Sequence, residues 1–215
     1  MSVFVIGTSE YLVAGLLPQV GADLRVSVGA AGQTVTAYAL GVVIGGPIVT
    51  VLTVRLPRKA LALGLMALFA AGSAISALAP SYEVLLAGRV VSSLGHAAFL
   101  ALALVTATGV VPAERVGTAI AAVVSGFTAA TLLGVPLGAL LGQGAGWRVP
   151  FAVLTGLALA GTALLAAVLP RQEARPTRVR DEVRVVTRRP VLLAIATTAV
   201  GFSGWPRCSP TSRRC

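Results

Sequence analysis

Six long apolar runs, at residues 3–20, 32–54, 60–79, 84–111, 117–142 and 149–169, make up most of this chain. A membrane-spanning helix needs roughly 20 mostly apolar residues, and each run has about that length. Of the 215 residues, 56% are hydrophobic and 11% charged, whereas soluble domains carry about 25% charged residues. A soluble enzyme and a disordered tail are both excluded. The expected fold is an all-α integral membrane protein of six spanning helices, residues 1–169, with the beginning of a seventh at 191–204. Pro18, Pro47, Pro80, Pro112, Pro150 and Pro170 fall near run ends, where helices begin or stop. Pro136 stands inside the fifth run and predicts a kink.

The net charge of +10 suggests nucleic-acid binding until the positions of the charges are considered. Three Lys/Arg lie between runs two and three, one between four and five, and seven between six and seven. Only Arg25 and Arg148 fall on the other side. Eleven against two is a topology signal that places the N-terminus and the basic loop 170–190 in the cytoplasm, and no nucleic-acid partner is expected. One Lys against sixteen Arg, with no Asn, indicates GC-rich coding, hence the inner membrane of a bacterium. No cleavable signal peptide is evident, because Glu10 interrupts the first run and no basic residue precedes it.

The last residues change character. The stretch 191–204 is apolar but reaches about 21 Å, short of a ~30 Å hydrocarbon core. Residues 205–215 then bring two prolines, three arginines and both cysteines, Cys208 and Cys215. This segment reads either as a polar tail or, the favoured expectation, as a shifted or prematurely ended reading frame.

Two ionisable residues interrupt apolar runs. A charge at mid-membrane costs at least about 2.5–3.5 kcal/mol, so it is by default functional and faces a partner or a cavity. Glu10 in run one suits a proton-coupling carboxylate, the bland alternative being an interfacial or merely paired group. Arg89 in run four shares a helix face with Ser93 and His96, at i+4 and i+7. Arg89 needs an acceptor, and Glu10 is the expected one; the alternative is snorkelling to the interface. His96 either takes a direct role or makes a structural hydrogen bond to a neighbouring helix. Tyr38 either lines a pore or bonds a neighbour.

Small residues form a register in run five: Thr118, Ala122, Gly126, Ala130, Gly134, Gly138 and Gly142 recur every fourth position. Ala37, Gly41 and Gly45 repeat it briefly in run two. Such spacing lets a second backbone approach closely. No metal-ligand cluster, nucleophile motif or phosphate loop is present in the sequence, so neither an enzyme nor an ATP-driven pump is expected. Buried charges without an energy-coupling domain point to secondary transport, with a proton gradient as energy source and no cofactor. A non-transporting six-helix scaffold is the alternative.

Several strings, in order, extend this reading: Gly7-Thr-Ser-Glu10-Tyr-Leu-Val-Ala-Gly-Leu-Leu-Pro18, Ala37-Tyr-Ala-Leu-Gly-Val-Val-Ile-Gly-Gly-Pro47, Arg55-Leu-Pro-Arg58-Lys59, Arg89-Val-Val-Ser-Ser-Leu-Gly-His96, Gly134-Val-Pro-Leu-Gly138 and Gly146-Trp-Arg-Val-Pro-Phe151. With them the chain resembles the N-terminal half of a major facilitator superfamily transporter, in the drug:proton antiporter branch that includes sugar-efflux and chloramphenicol-resistance proteins. The resemblance implies twelve helices in two six-helix halves around a midplane cavity, each half being two three-helix inverted repeats. It further implies that Arg55, Arg58 and Lys59 form the loop motif governing opening on the cytoplasmic face, with Val54 where an Asp is usual. By the same likeness Arg89 takes part in proton coupling, and Gly126, Gly134, Pro136 and Gly138 form the helix-five antiporter motif. The expected activity is export of a small molecule, drug or sugar-like, in exchange for protons. The expected partners are that substrate, the lipid bilayer and a C-terminal six-helix half, without which the chain is expected to be inactive.

Overall fold

The computed structural model describes residues 1–53, 56–169, 193 and 197, and the helices below all lie in one unit, Met1–Ala174. The expectations for Arg55, for the basic loop 170–190 and for the tail 205–215 fall outside the described residues. So does the seventh helix, apart from Leu193 and Thr197, which are helical.

Among the described residues the protein is all-α, with nine helices: α1 Ser2–Leu12, α2 Leu17–Leu24, α3 Val28–Thr53, α4 Arg58–Ala77, α5 Tyr82–Leu94, α6 His96–Gly109, α7 Val116–Ala129, α8 Val135–Ala145 and α9 Arg148–Val168. By length and apolarity five spans can cross a membrane, at Val28–Thr53, Arg58–Ala77, Tyr82–Gly109, Ala113–Ala145 and Arg148–Val168; the bent pair α1–α2 makes a sixth. The six apolar runs thus correspond to the six candidate spans.

Prolines and glycines shape three of these spans. The first run is not one helix. A turn of 3-10 helix at Val13–Gly15 separates α1 from α2, which turns away by 66°. Pro18 sits in the first turn of α2, where its missing N–H would be unpaired anyway; further inside a helix it would break the ladder. Pro136 likewise sits in the first turn of α8, directly after a π-helical turn at Ala130–Gly134. What stands at the expected kink is this π turn, and Ala113–Ala145 continues through it as one candidate span. Pro47 does not end its helix: α3 continues through it to Thr53. At its other end α3 starts after Ser27, whose Oγ accepts the Ala30 N–H at 3.1 Å, a side-chain N-cap.

Small residues set the helix contacts. A Cβ on Gly134 would meet the Thr8 side chain, one on Gly138 would meet Leu12, and one on Gly142 would meet Leu16; at Gly126 it would lie 3.6 Å from Val3. The fifth span therefore runs alongside the first in the same direction, its glycine register against α1 and the following turn. The second span does the same to the fourth: Gly41 faces Ser93, Gly45 faces Leu94 and Gly46 faces Ala97. Gly72 of α4 lies against Gly88 and the Ser92 backbone of α5. Basic side chains link the ends of the third and sixth spans reciprocally. Lys59 Nζ donates to Ala166 O at 2.6 Å, and Arg148 donates to Ala79 O at 2.9 Å. Both acceptors lie at or just past helix C-termini, where backbone carbonyls lack intrahelical partners and carry partial negative charge.

Candidate functional site

The polar residues singled out in the sequence gather where α1, α3, α5 and α6 meet. Arg89 is the largest fully buried side chain among the described residues, with 0% exposure. Burial of such a cation requires compensation from every side. One terminal nitrogen donates to Ser9 O at 2.9 Å and to Ser9 Oγ at 3.0 Å. The other donates to Glu10 O at 3.4 Å. The guanidinium also lies 4.0 Å from the centre of the Tyr38 ring, a cation–π contact. Its Nε has no hydrogen-bond partner.

These contacts revise the expected ion pair. Arg89 holds the backbone of Glu10, not its carboxylate. The reason lies in the end of α1: Ser9 and Glu10 belong to its last turn, where the helix tightens to 3-10 at Val13–Gly15 and the carbonyls become available to an outside donor. The negative end of that helix receives the cation. Snorkelling is excluded by the complete burial of Arg89.

The Glu10 carboxylate turns instead toward His96. Its Oε2 lies 3.7 Å from His96 Nε2, with the Glu10 side chain 27% exposed. The other ring nitrogen, Nδ1, is 3.1 Å from Tyr38 Oη. His96 thus makes the expected bond to a neighbouring helix, and it also stands beside the intramembrane acid. Tyr38, 1% exposed, bonds a neighbour. Phe127 of α7 packs on the imidazole, ring centres 6.2 Å apart, and edge-on against Tyr11 at 6.4 Å. Ser93 completes the buried stripe on α5, its hydroxyl bonded to Val90 O.

The remaining expected residues lie elsewhere. Gly134 and Gly138 form the α1 contact, and Pro136 adjoins the π turn. Gly126 also lines an apolar cavity of about 300 Å³ at the end of the bundle that carries Met1, together with Phe99, Leu102, Ala122 and Leu165. Arg58 and Lys59 open α4 at the same end. Two residues that the sequence reading did not single out now matter. Ser9 offers Arg89 two acceptors; a Ser beside the membrane Glu in an apolar helix was the available signal. At the opposite end, Asp23 Oδ2 accepts from Arg148 and, at 3.1 Å, from Trp147 Nε1. Asp23 and Arg148 are far apart in sequence, and nothing local announced their pairing.

An all-α bundle with apolar spans, glycine-registered contacts and a cation buried between its first and fourth spans is a polytopic membrane protein built around an intramembrane polar site. The chain belongs to the Major Facilitator Superfamily, whose sequence pattern matches residues 1–211. It is 42% identical over 202 residues to the uncharacterized MFS-type transporter YfhI of Bacillus subtilis, covering 94% of this chain and 51% of that protein. The inner membrane transport protein YdhP of Escherichia coli is 40% identical over 200 residues, covering 92% of this chain and 51% of its own length. A chloramphenicol resistance protein of Streptomyces lividans is 46% identical over 151 residues, 70% of this chain and 38% of that protein. The chain spans about half the length of the first two relatives.

Proposed function

We propose that this chain is the N-terminal six-helix half of a proton-coupled exporter of small molecules, drug-like or sugar-like, in a bacterial inner membrane. The supporting observation is the Glu10–His96–Tyr38–Arg89 cluster. It joins three candidate spans and keeps one carboxylate partly open while the cation beside it is fully buried. A bundle that merely scaffolds a membrane assembly gains nothing from such groups, whose insertion is costly. The names of the relatives support transport, and one of them is named for chloramphenicol resistance.

In this reading Glu10 takes and releases the coupled proton. Substrate contacts the face that carries Glu10, Tyr38 and His96, across a cavity whose other wall is a C-terminal six-helix half. The glycine-lined contact of the fifth span on the first lets these elements shift as a unit. Arg55, Arg58 and Lys59 lie on the cytoplasmic side with the N-terminus and residues 170–190. The test is efflux from cells producing the full-length transporter. Glu10→Gln abolishes proton-driven efflux while substrate still binds; efflux with unchanged proton dependence overturns the assignment. Cells producing residues 1–215 alone show no efflux. In a Cys208→Ser, Cys215→Ser background, Arg178→Cys resists a membrane-impermeant thiol reagent in intact cells, and efficient labelling overturns the topology.

A further inference from the structure

Arg89 and Glu10 are close, yet the hydrogen bonds of Arg89 go to Ser9 and to the Glu10 backbone, and the Glu10 carboxylate faces His96. Arg89 spends its terminal nitrogens on Ser9 and on the Glu10 carbonyl, and its flat face lies on Tyr38. None of these acceptors changes when the Glu10 carboxylate gains or loses a proton. The link to α1 that does depend on this proton runs through the imidazole: Glu10 Oε2 to His96 Nε2, and His96 Nδ1 to Tyr38 Oη.

Resting on the proton-coupled reading above, we propose that His96, set by Tyr38, is the positioning residue for Glu10: it holds the ionised carboxylate and loosens its hold on protonation, while Arg89 acts as a permanent clasp on α1. A neutral imidazole has one N–H and one lone pair, and the bond at one nitrogen fixes the role of the other. An ionised carboxylate only accepts, so the ring proton is assigned to Nε2, facing Glu10, and Nδ1 is left to accept from Tyr38 Oη. A hydrogen bond to an ionised acceptor is about twice as strong as a neutral one. The 3.7 Å separation exceeds the ~2.7–3.2 Å of a formed N–H···O bond, so a small side-chain movement makes or breaks it. Ionised Glu10 thereby ties α1 to α6 and, through the ring, to α3. Protonated Glu10 is a neutral and therefore weaker acceptor for Nε2–H, and that tie loosens.

The groups around the imidazole are compatible with this assignment. α1 contributes Glu10 and Tyr11, α3 contributes Tyr38, α5 contributes Arg89, and α7 offers the uncharged Phe127. Glu10 is therefore the acidic group among them. Its carboxylate is the part of the cluster with appreciable exposure, so it can exchange a proton without unburying Arg89.

The chain contains a single histidine, so nitrogen NMR of ¹⁵N-histidine-labelled protein in nanodiscs reads His96 alone. The expected wild-type spectrum is that of the Nε2-protonated tautomer. Tyr38→Phe mixes in the second tautomer. Glu10→Gln keeps the tautomer and moves the Nε2 signal, leaving Nδ1 near its place. An Nδ1-protonated ring in the wild type, or an Nε2 signal indifferent to Glu10→Gln, overturns the proposal. In the full-length transporter, His96→Gln moves the pH midpoint of efflux by about one unit, a tenfold change in apparent proton affinity; an unmoved midpoint also counts against it. If the NMR result holds but Glu10→Gln still exports with normal proton dependence, the positioning of Glu10 stands and the proton-coupled reading fails.

Discussion

Residues 1–77 and 82–168 are two three-helix sets built to one plan, and they differ where the charges are. In each, glycines of the second span press on the first span of the other set: Gly134 on Thr8, and Gly41 on Ser93. In each, a basic residue opening the third span reaches the end of the other set's third span: Lys59 to Ala166, and Arg148 to Ala79. This exchange of contacts is what two inverted three-helix repeats produce. The first spans diverge. The second set's runs through Gly95 as one span, whereas the first set's tightens to 3-10 helix after Leu12 and bends by 66° between Gly15 and Leu17. The change from α to 3-10 helix puts the carbonyls that Arg89 takes in the last turn of α1. It also leaves Glu10 near a helix end, partly exposed beside His96. Packing follows the repeat, and the polar site arises where the repeat is violated.

The largest expected effect comes from removing the cap at that violation. Arg89→Met leaves the Ser9 and Glu10 carbonyls buried without a donor, at about 1–3 kcal/mol for each unsatisfied group. Thermal unfolding in detergent should show a loss of several degrees or a failure to accumulate. Arg89→Lys recovers part of it, because an ammonium cannot reproduce the fork. Full stability in Arg89→Met would mean that the break in the first span needs no cap.

Next come the glycine contacts, which test the symmetric part of the comparison. Gly41→Val and Gly134→Val both insert side chains against Ser93 and Thr8, and overpacking of this kind costs about 1–3 kcal/mol. If the two contacts are equivalent, the losses of melting temperature agree closely. Gly64→Ala, where an added Cβ meets nothing within 4 Å, leaves the melting temperature unchanged or raises it. A large loss at Gly134 with none at Gly41 would break the equivalence.

The smallest effect is expected at the helix ends. Arg148 has an acid partner in Asp23, an exposed pair, and exposed pairs contribute little. Lys59 has no acid within ion-pair distance among the described residues. Asp23→Asn therefore lowers the melting temperature slightly. Lys59→Gln changes it less, by the loss of one bond to Ala166 O.

Much of the apolar architecture was legible in the sequence, because membrane insertion is governed by local hydropathy and each run carries that signal itself. The glycine register of the fifth span was legible for the same reason: periodicity is local. The end of α1 at Leu12 and the bend beyond Gly15 were not, since Pro18 is equally compatible with a helix that has simply ended. From that miss follows the error at the site. With α1 continuous, the Ser9 and Glu10 carbonyls would be bonded within the helix, and Arg89 would have had the Glu10 carboxylate as its natural acceptor. The Asp23–Arg148 pair was likewise hidden, being set by how the end of α2 and the start of α9, distant in sequence, meet at one end of the bundle.

The central claim is that the Glu10 carboxylate carries the coupled proton, while the hydrogen bonds of Arg89 go to groups other than that carboxylate. Proton movement driven by a substrate gradient, followed with a pH-sensitive dye inside proteoliposomes containing the full-length transporter, tests it most directly. Wild type should move protons against substrate, and Glu10→Gln should bind substrate yet move none. Undiminished substrate-driven proton movement in Glu10→Gln would contradict the account.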